Sequence, residues 1–324
     1  MTMTPEPTPS PPAPAATGWR ATLGRWFDSD QGAATRGEPQ AIDWGRIVPY
    51  LLLHLSCIAV VWVGWSWTAV ITAAALYLVR MFAITGFYHR YFSHRTFKTS
   101  RVGQFLFGVL GASAVQRGPV WWAAHHRHHH AHSDQPGDVH SPVQRGFLMS
   151  HTGWFLTGDG FRPDLSRVQD LLRYPELRWL DRYDIAVPAL LAIGLFGLGV
   201  LLEYQWPELG TDGWQMLVWG FSISTVVCYH ATYTINSLSH VFGRRRYDTG
   251  DASRNNFWLA LLTLGEGWHN NHHFYPSAAR QGFYWWEIDL TWYGLKMLSW
   301  TGLIWDLKPV PVAIRDRSPR RLDR

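Results

Sequence analysis

The chain has 324 residues, 47% of them hydrophobic and 16% charged, against roughly 25% charged in an average soluble domain. Twenty tryptophans demand burial and exclude a disordered chain over most of its length, and two cysteines, Cys57 and Cys228, exclude a disulfide scaffold or a four-thiolate iron–sulfur centre. The net charge of +5 rests on scattered arginines, with Lys98, Lys296 and Lys308 as the lysines. Without a basic block, that pattern argues against nucleic acid and for an anionic membrane surface.

Residues 1–16 hold six prolines among Thr, Ser and Ala, and residues 1–45 read as a disordered tail with an amphipathic lead-in. They lack the basic start and apolar centre of a signal peptide. A membrane domain is expected over 46–310 and a short charged tail over 311–324. Within the domain, uncharged or nearly uncharged runs over about 47–67, 68–88, 185–202 and 213–235 are each near the ~20 residues that span a bilayer. Arg80 is the single charge in the second run. The shorter run 102–115 is Gly-rich and reads as an interfacial or buried helix.

Arginine placement sets the topology. Arg20, Arg25, Arg36 and Arg46 precede the first run; Arg90, Arg95, Lys98 and Arg101 follow the second. Arg173, Arg178 and Arg182 precede the third, and Arg244, Arg245 and Arg246 follow the fourth, while the turns within each pair carry no Lys or Arg. The expected architecture is an all-α integral membrane protein. Four transmembrane helices form two hairpins, both termini and residues 89–184 are cytoplasmic, and a cytoplasmic helical cap holds a His-rich dimetal site.

Four His-rich segments, all on that cytoplasmic side, carry the case for metal: HRYFSH (89–94), HHRHHHAH (125–132), NSLSH (236–240) and HNNHH (269–273). Helix positions i, i+3 and i+4 share a face. His126, His129 and His130 obey that rule, as do His269, His272 and His273, and Asn236 with His240. From spacing alone His125, His128 and His129 fit as well. His89 and His94, five apart, reach one ion only where the helix is frayed or bent. Neutral imidazole suits Fe, Zn, Cu or Ni, and nine imidazoles suit two ions of four or five ligands each. His54 reads as a structural hydrogen-bonding group within the first span, and His230 as a group one shell out from the metal.

The segments GFYHRYFSHRTFKT (86–99), WWAAHHRHHHAHSD (121–134), GFLMSHTGW (146–154), NSLSH and LGEGWHNNHHFYP (264–276) together resemble the membrane-bound fatty acyl desaturases of the stearoyl-CoA Δ9 type, over roughly residues 45–310. The resemblance aligns Trp122, His126, Arg127, His129 and His130 with the family's W-x-x-x-H-R-x-H-H, leaving His125, His128 and His132 as extras. It implies two irons, one held by His89, His94, His126, His130 and His272. The other would be held by His129, His240, His269 and His273, with Asn236 acting through a water. Asp134 and Glu266 are candidates to orient ligating imidazoles.

The implied reaction is O2-dependent insertion of a cis double bond, expected at Δ9, into a saturated acyl chain. Trp121, Trp122, Trp154 and Trp258 are candidate tunnel walls, with Tyr77 and Met81, one turn apart on the second span, closing the far end. The expected carrier is CoA, with Arg145, Arg162, Arg167 and Arg173 available for its phosphates; a membrane acyl-lipid entering sideways would need none of them. Electrons are expected from a separate ferredoxin, rubredoxin or small cytochrome with its reductase, and a bacterial inner membrane is the expected location. Two rivals are weighed. A His-cluster hydroxylase of alkyl, sterol or carotenoid substrates uses different His spacings, and a metal transporter places polar ligands along a path inside its spans, whereas here they gather on one side.

Overall fold

The computed structural model describes residues 19–32 and 41–317; the Pro-rich stretch over 1–16 and the last residues of the charged tail lie outside them. Within the expected lead-in, α1 (Trp19–Phe27) is a helix. The chain is mostly helical because its apolar runs are long enough to satisfy their backbone internally without water. Among the described residues three helices are long and apolar enough to cross a membrane: α2 (Trp44–Val63), α3 (Trp67–Ser93) and, further on, α7 (Ala186–Gln205).

Asp43 caps the start of α2. Gly64, at φ +66°, makes the turn that only glycine adopts without strain, and Ser66 then caps α3 by accepting from the Ala69 amide at 3.1 Å. After α3 come the short strand β1 (Lys98–Thr99) and α4 (Arg101–Ala112). α4 buries Phe107, Gly108, Gly111 and Ala112 while exposing Val102, Leu106 and Leu110, a second apolar stripe four residues apart. The His-rich helix α5 (Pro119–His132) starts on a proline, and Asp181 of α6 (Pro175–Arg182) accepts from the amides of Val120 and Trp121 at 3.0 and 2.8 Å. That bond satisfies two of the orphan donors at the α5 N-terminus.

The fourth expected span exists as one helical run, α8, over 213–237, but it is too polar for the apolar standard the other three meet. Its polar groups are turned inward and used. Thr225, Ser224 and the Gly220 carbonyl bind the guanidinium of Arg80, whose residue is fully buried. Ser222 accepts from Ser56 at 2.8 Å, and Tyr229 donates to the Val115 carbonyl at 2.6 Å. The first turns of α8 meet the connection between α2 and α3: Gln215 Nε2 donates to the Val63 carbonyl and Trp219 Nε1 to that of Gly64, each at 2.9 Å.

Beyond α8 lie α9 (Phe257–Leu262), α10 (His269–Phe274), α11 (Leu290–Trp300) and β2 (Ile304–Trp305). β2 pairs antiparallel with β1, and Lys308 N–H donates to Thr96 at 2.8 Å. The C-terminal segment is thereby strapped onto the end of α3, where the histidines begin.

Candidate metal centre

Local helix geometry brings His89 and His94 together. The last eleven residues of α3, Ala83–Ser93, wind as a π-helix, and the His94 amide donates to the His89 carbonyl at 3.2 Å. An i→i+5 register places residues five apart on the same side, so the bend the spacing required is a change of helix type. Arg127 holds this end in place. Its guanidinium donates to the Phe92 and Ser93 carbonyls at 2.7 and 2.9 Å and to both oxygens of Asp170, which ties α5 to the end of α3.

Two groups of imidazoles result, each with its nitrogens within 4.8 Å of one another: His89, His94, His126, His130 and His272, and beside it His129, His240, His269 and His273. They face each other through Nε2. His94 to His126 is 2.7 Å, His272 is 3.0 Å from His89 and 2.9 Å from His130, His240 to His269 is 3.0 Å and His129 to His273 is 3.4 Å. Two imidazoles bound to one ion at about 2.0–2.1 Å stand about 2.9 Å apart at a right angle and about 3.3 Å at a tetrahedral one. The separations of 2.9–3.4 Å match the edges of such polyhedra, and the His94–His126 separation is shorter. Burial and neighbouring imidazoles hold His94, His126, His130, His269 and His272 well below their ordinary pKa, keeping them in the neutral form that binds a metal.

Carboxylates on the far side of the rings fix that orientation. His240 Nδ1 is 2.8 Å from Asp134, His129 Nδ1 2.9 Å from Asp138, and His273 Nδ1 2.7 Å from Asp251; His89 Nδ1 contacts Glu266. A carboxylate accepting a hydrogen bond from Nδ1–H leaves the Nε2 lone pair aimed at the centre. Burial alone would raise the Asp134 carboxyl, but bonds from His240, Ser141 and the Ala252 amide outweigh it and hold it at about 2. Burial likewise opposes ionisation of Asp138 and Asp251, and their imidazole partners hold both well below the carboxylate range.

Sequence reasoning named Asp134 and Glu266 but missed Asp138 and Asp251. Asp138 had a signal, since it lies in the same turn as Asp134 after α5. Asp251 sits in a loop where no periodicity operates. Also missed was the buried support of Glu266, which accepts from Arg90 at 3.2 Å and Gln281 at 3.0 Å.

The three extra histidines of α5 point elsewhere. His128 bonds the Gly137 carbonyl at 2.9 Å, His132 bonds the His128 carbonyl at 3.0 Å, and His125 is buried against Trp121 and Trp154. His54, His230 and His151 form a separate chain, with nitrogens 3.3 and 3.1 Å apart.

Two cavities adjoin the imidazoles. One of about 550 Å³ is lined by Trp121, Trp122, Trp154 and Asn236, and also by Arg25, Arg46 and Arg117. The other, about 40 Å³, is lined by Trp122, Asn236, His89, His129, Met81 and Ile84, so the two share a wall at Trp122, His126, Thr232 and Asn236. Met81 is fully buried. Tyr77 packs beside the core and its hydroxyl donates to the Leu262 carbonyl, without lining either cavity. Trp258 is a correction: it is 75% exposed on α9 and belongs to neither wall, since the Asn256 cap fixes that helix with Trp258 outward and Leu259 and Ala260 buried. Arg145, Arg162, Arg167 and Arg173 also line neither cavity; Arg167 instead pairs with Asp164 at 3.1 Å.

Comparison with known families matches residues 65–299 to the fatty acid desaturases. The chain is 38% identical to an sn-1 stearoyl-lipid 9-desaturase of Anabaena variabilis over 278 residues, 85% of this chain and 97% of that protein. It is 38% identical to an acyl-CoA 5-desaturase of Anemone leveillei over 269 residues, 82% of this chain and 79% of that one. It is 37% identical to a chloroplastic palmitoyl-monogalactosyldiacylglycerol delta-7 desaturase of Arabidopsis thaliana over 275 residues, 84% of this chain and 70% of that one. The chain belongs to the fatty acid desaturase family and is an oxidoreductase of lipid metabolism.

Proposed function

We propose that the chain is an O2-dependent desaturase that places a cis double bond at Δ9 of a saturated acyl chain bound to a phosphate-bearing carrier. The observation that carries this reading is the pair of facing imidazole groups at the junction of two apolar cavities. The first group would hold one iron and the second another, with Asn236, in the shared wall, placed to act on the second through a water. With O2, two such irons would supply the oxidising power that an unactivated CH2–CH2 pair requires and no side-chain base has. The balance is fixed: the chain loses two hydrogens, two electrons and two protons arrive from outside, and O2 leaves as two waters.

The protein's own work is positional. Trp121 and Trp154, stacked 5.7 Å apart, and Trp122, stacked on His126 at 5.0 Å, hold a straight apolar chain and keep water out. Asp134, Asp138, Asp251 and Glu266 keep the four imidazoles they touch in one tautomer. The carrier's anionic head would sit at Arg25, Arg46 and Arg117. Δ9 is supported by the 9-desaturase of Anabaena variabilis, which this chain nearly spans. Four spans in an inner membrane, with both termini and the histidines cytoplasmic, are supported by the arginine distribution and by the contact of the start of α8 with the α2–α3 connection. Electrons would come from a ferredoxin, rubredoxin or small cytochrome with its reductase.

Expression in a host that has no oxygen-dependent desaturase tests the reading. Derivatised fatty acids should show a Δ9 monoene that is absent with His269→Ala; a hydroxylated product instead would move the chain to the hydroxylases. Register is tested separately. Met81 walls the deep cavity, so Met81→Ala opens space equal to about three methylenes and should shift the product profile toward longer chains. An unchanged profile would remove Met81 as the stop.

A further inference from the structure

The larger cavity has an open flank. Pro49 and Leu52 of α2 line one side, Pro188 and Ala189 of α7 the other, and Phe221 of α8 the back. Leu52 is 55% exposed and Ala189 is also exposed, so the cleft opens onto the outer surface of two helices apolar enough to cross a membrane. From Arg46 to Leu53 the wall follows seven residues of α2, about 10 Å of helix rise, which stays within the ~15 Å depth of one leaflet's hydrocarbon.

The cytoplasmic-end chemistry is cationic and undersatisfied. Arg46 is 9% exposed and its Nε has no hydrogen-bond partner; its nearest carboxylate, Asp43, lies at 3.6 Å and is shared with Arg25 at 3.2 Å. Arg117 pairs with Asp184 at 3.0 Å. At ion-pair distance these three arginines meet two carboxylates, Asp43 and Asp184, with Asp181 also near Arg117; the donor left over among them is the Arg46 Nε. Phe161 lies against Arg46 at 4.3 Å and Arg117 at 5.2 Å.

We infer that this cleft is a lateral portal through which one acyl chain of a membrane phospholipid reaches the metal centre while Arg46 holds the lipid's phosphate. The inference rests on the desaturase reading above and replaces the CoA carrier expected from sequence. A diacyl lipid cannot thread a closed tunnel, because its second chain must stay in the bilayer; a side opening at leaflet depth solves that. A CoA thioester brings a single chain on a water-soluble carrier and has no use for an opening toward lipid. The apolar walls of the cleft fit the same occupant, since hydrocarbon covers them without the cost that water would impose.

The test uses the full chain, iron-loaded, in phosphatidylglycerol vesicles. One sample carries a trace of phospholipid with a diazirine at the end of its sn-1 stearoyl chain; a second receives diazirine-tagged stearoyl-CoA. The phospholipid probe should label peptides containing Met81 and Ile84, which wall the deep cavity where the chain's far end stops, after illumination. Ala189→Trp, which plugs the cleft, should lower that labelling by about tenfold, while Ala189→Ser leaves it intact. Leu52→Trp plugs from the other side and replaces Ala189→Trp if the latter loses its metal. Labelling of the same peptides by the CoA probe alone would overturn the portal, as would undiminished lipid labelling in both plugged variants. Labelling does not need turnover; with O2 and ferredoxin, rubredoxin and cytochrome donors each then supplied with a reductase, a labelled chain that yields no monoene would overturn the desaturase reading and leave the portal standing.

Discussion

Replacing His272 with alanine is expected to abolish product formation and to cut bound metal from about two ions to about one. His272 Nε2 lies 3.0 Å from that of His89 and 2.9 Å from that of His130, at the middle of the five-imidazole group. Its loss removes a ligand that no neighbour can replace, because the other four come from two separate stretches, the end of α3 and α5, whose positions are fixed by Arg127 and the π-helical end of α3. Turnover should fall by more than about a thousandfold, as when any member of a catalytic set that acts as a unit is removed. The control is His128→Ala in the same histidine run. His128 bonds the Gly137 carbonyl and stacks on His132 at 4.4 Å, so both activity and metal content should stay near wild type. Metal analysis and product quantification on the two variants decide the matter: equal behaviour would mean the grouping of histidines is wrong.

How much of this was legible in the sequence follows from the physics of each feature. The helical spans were legible because a bilayer requires an unbroken apolar run, and their ends fell within a few residues of α2, α3 and α7. α8 was legible as an element, but its polar side chains turn inward to Arg80 and Ser56, so composition alone does not separate it from a polar bundle helix. The i, i+3, i+4 periodicity marked the α5 run but fitted His125, His128 and His129 as well as His126, His129 and His130, and the resemblance to the desaturases selected the second set. The pairing of His89 with His94 was not, because spacing rules assume an α-helix and the chain winds there as a π-helix. The carboxylates separate the same way: Asp134 and Glu266 flank His motifs, whereas Asp251 reaches His273 from across a loop. Trp258 and the four loop arginines were misplaced because residue type marks an aromatic or a cation without telling which way it faces. Of the arginines that do line the cavity, Arg25 and Arg46 were read only for topology and Arg117 carried no sequence signal.

Arg90 carries the second large effect, on stability. It is 1% exposed, sits between Glu266 at 3.2 Å and Asp289 at 3.0 Å, and donates to the Ala279 carbonyl at 2.9 Å. Both carboxylates are themselves buried, and each has a second task. Glu266 orients His89, while Asp289 caps α11 through the Trp292 amide at 2.9 Å and accepts from the Gln281 amide at 2.7 Å. Arg90→Met keeps much of the volume and deletes the charge, leaving two buried carboxylates without their cation. Breaking a buried ion pair from one side costs about 3–5 kcal/mol, so the denaturant midpoint in detergent should fall sharply. Arg90→Lys restores the charge but cannot reach two carboxylates and a carbonyl from one point, and should recover part of the loss. Arg101, whose pair with Glu176 at 2.7 Å is 64% exposed on the arginine side, is the comparison: Arg101→Met should barely move the midpoint, because water and salt screen an exposed pair. Equal shifts for Arg90→Met and Arg101→Met would show that burial of the first pair does not strengthen its role. A wild-type midpoint for Arg90→Met with loss of metal would confine Arg90 to holding Glu266 against His89.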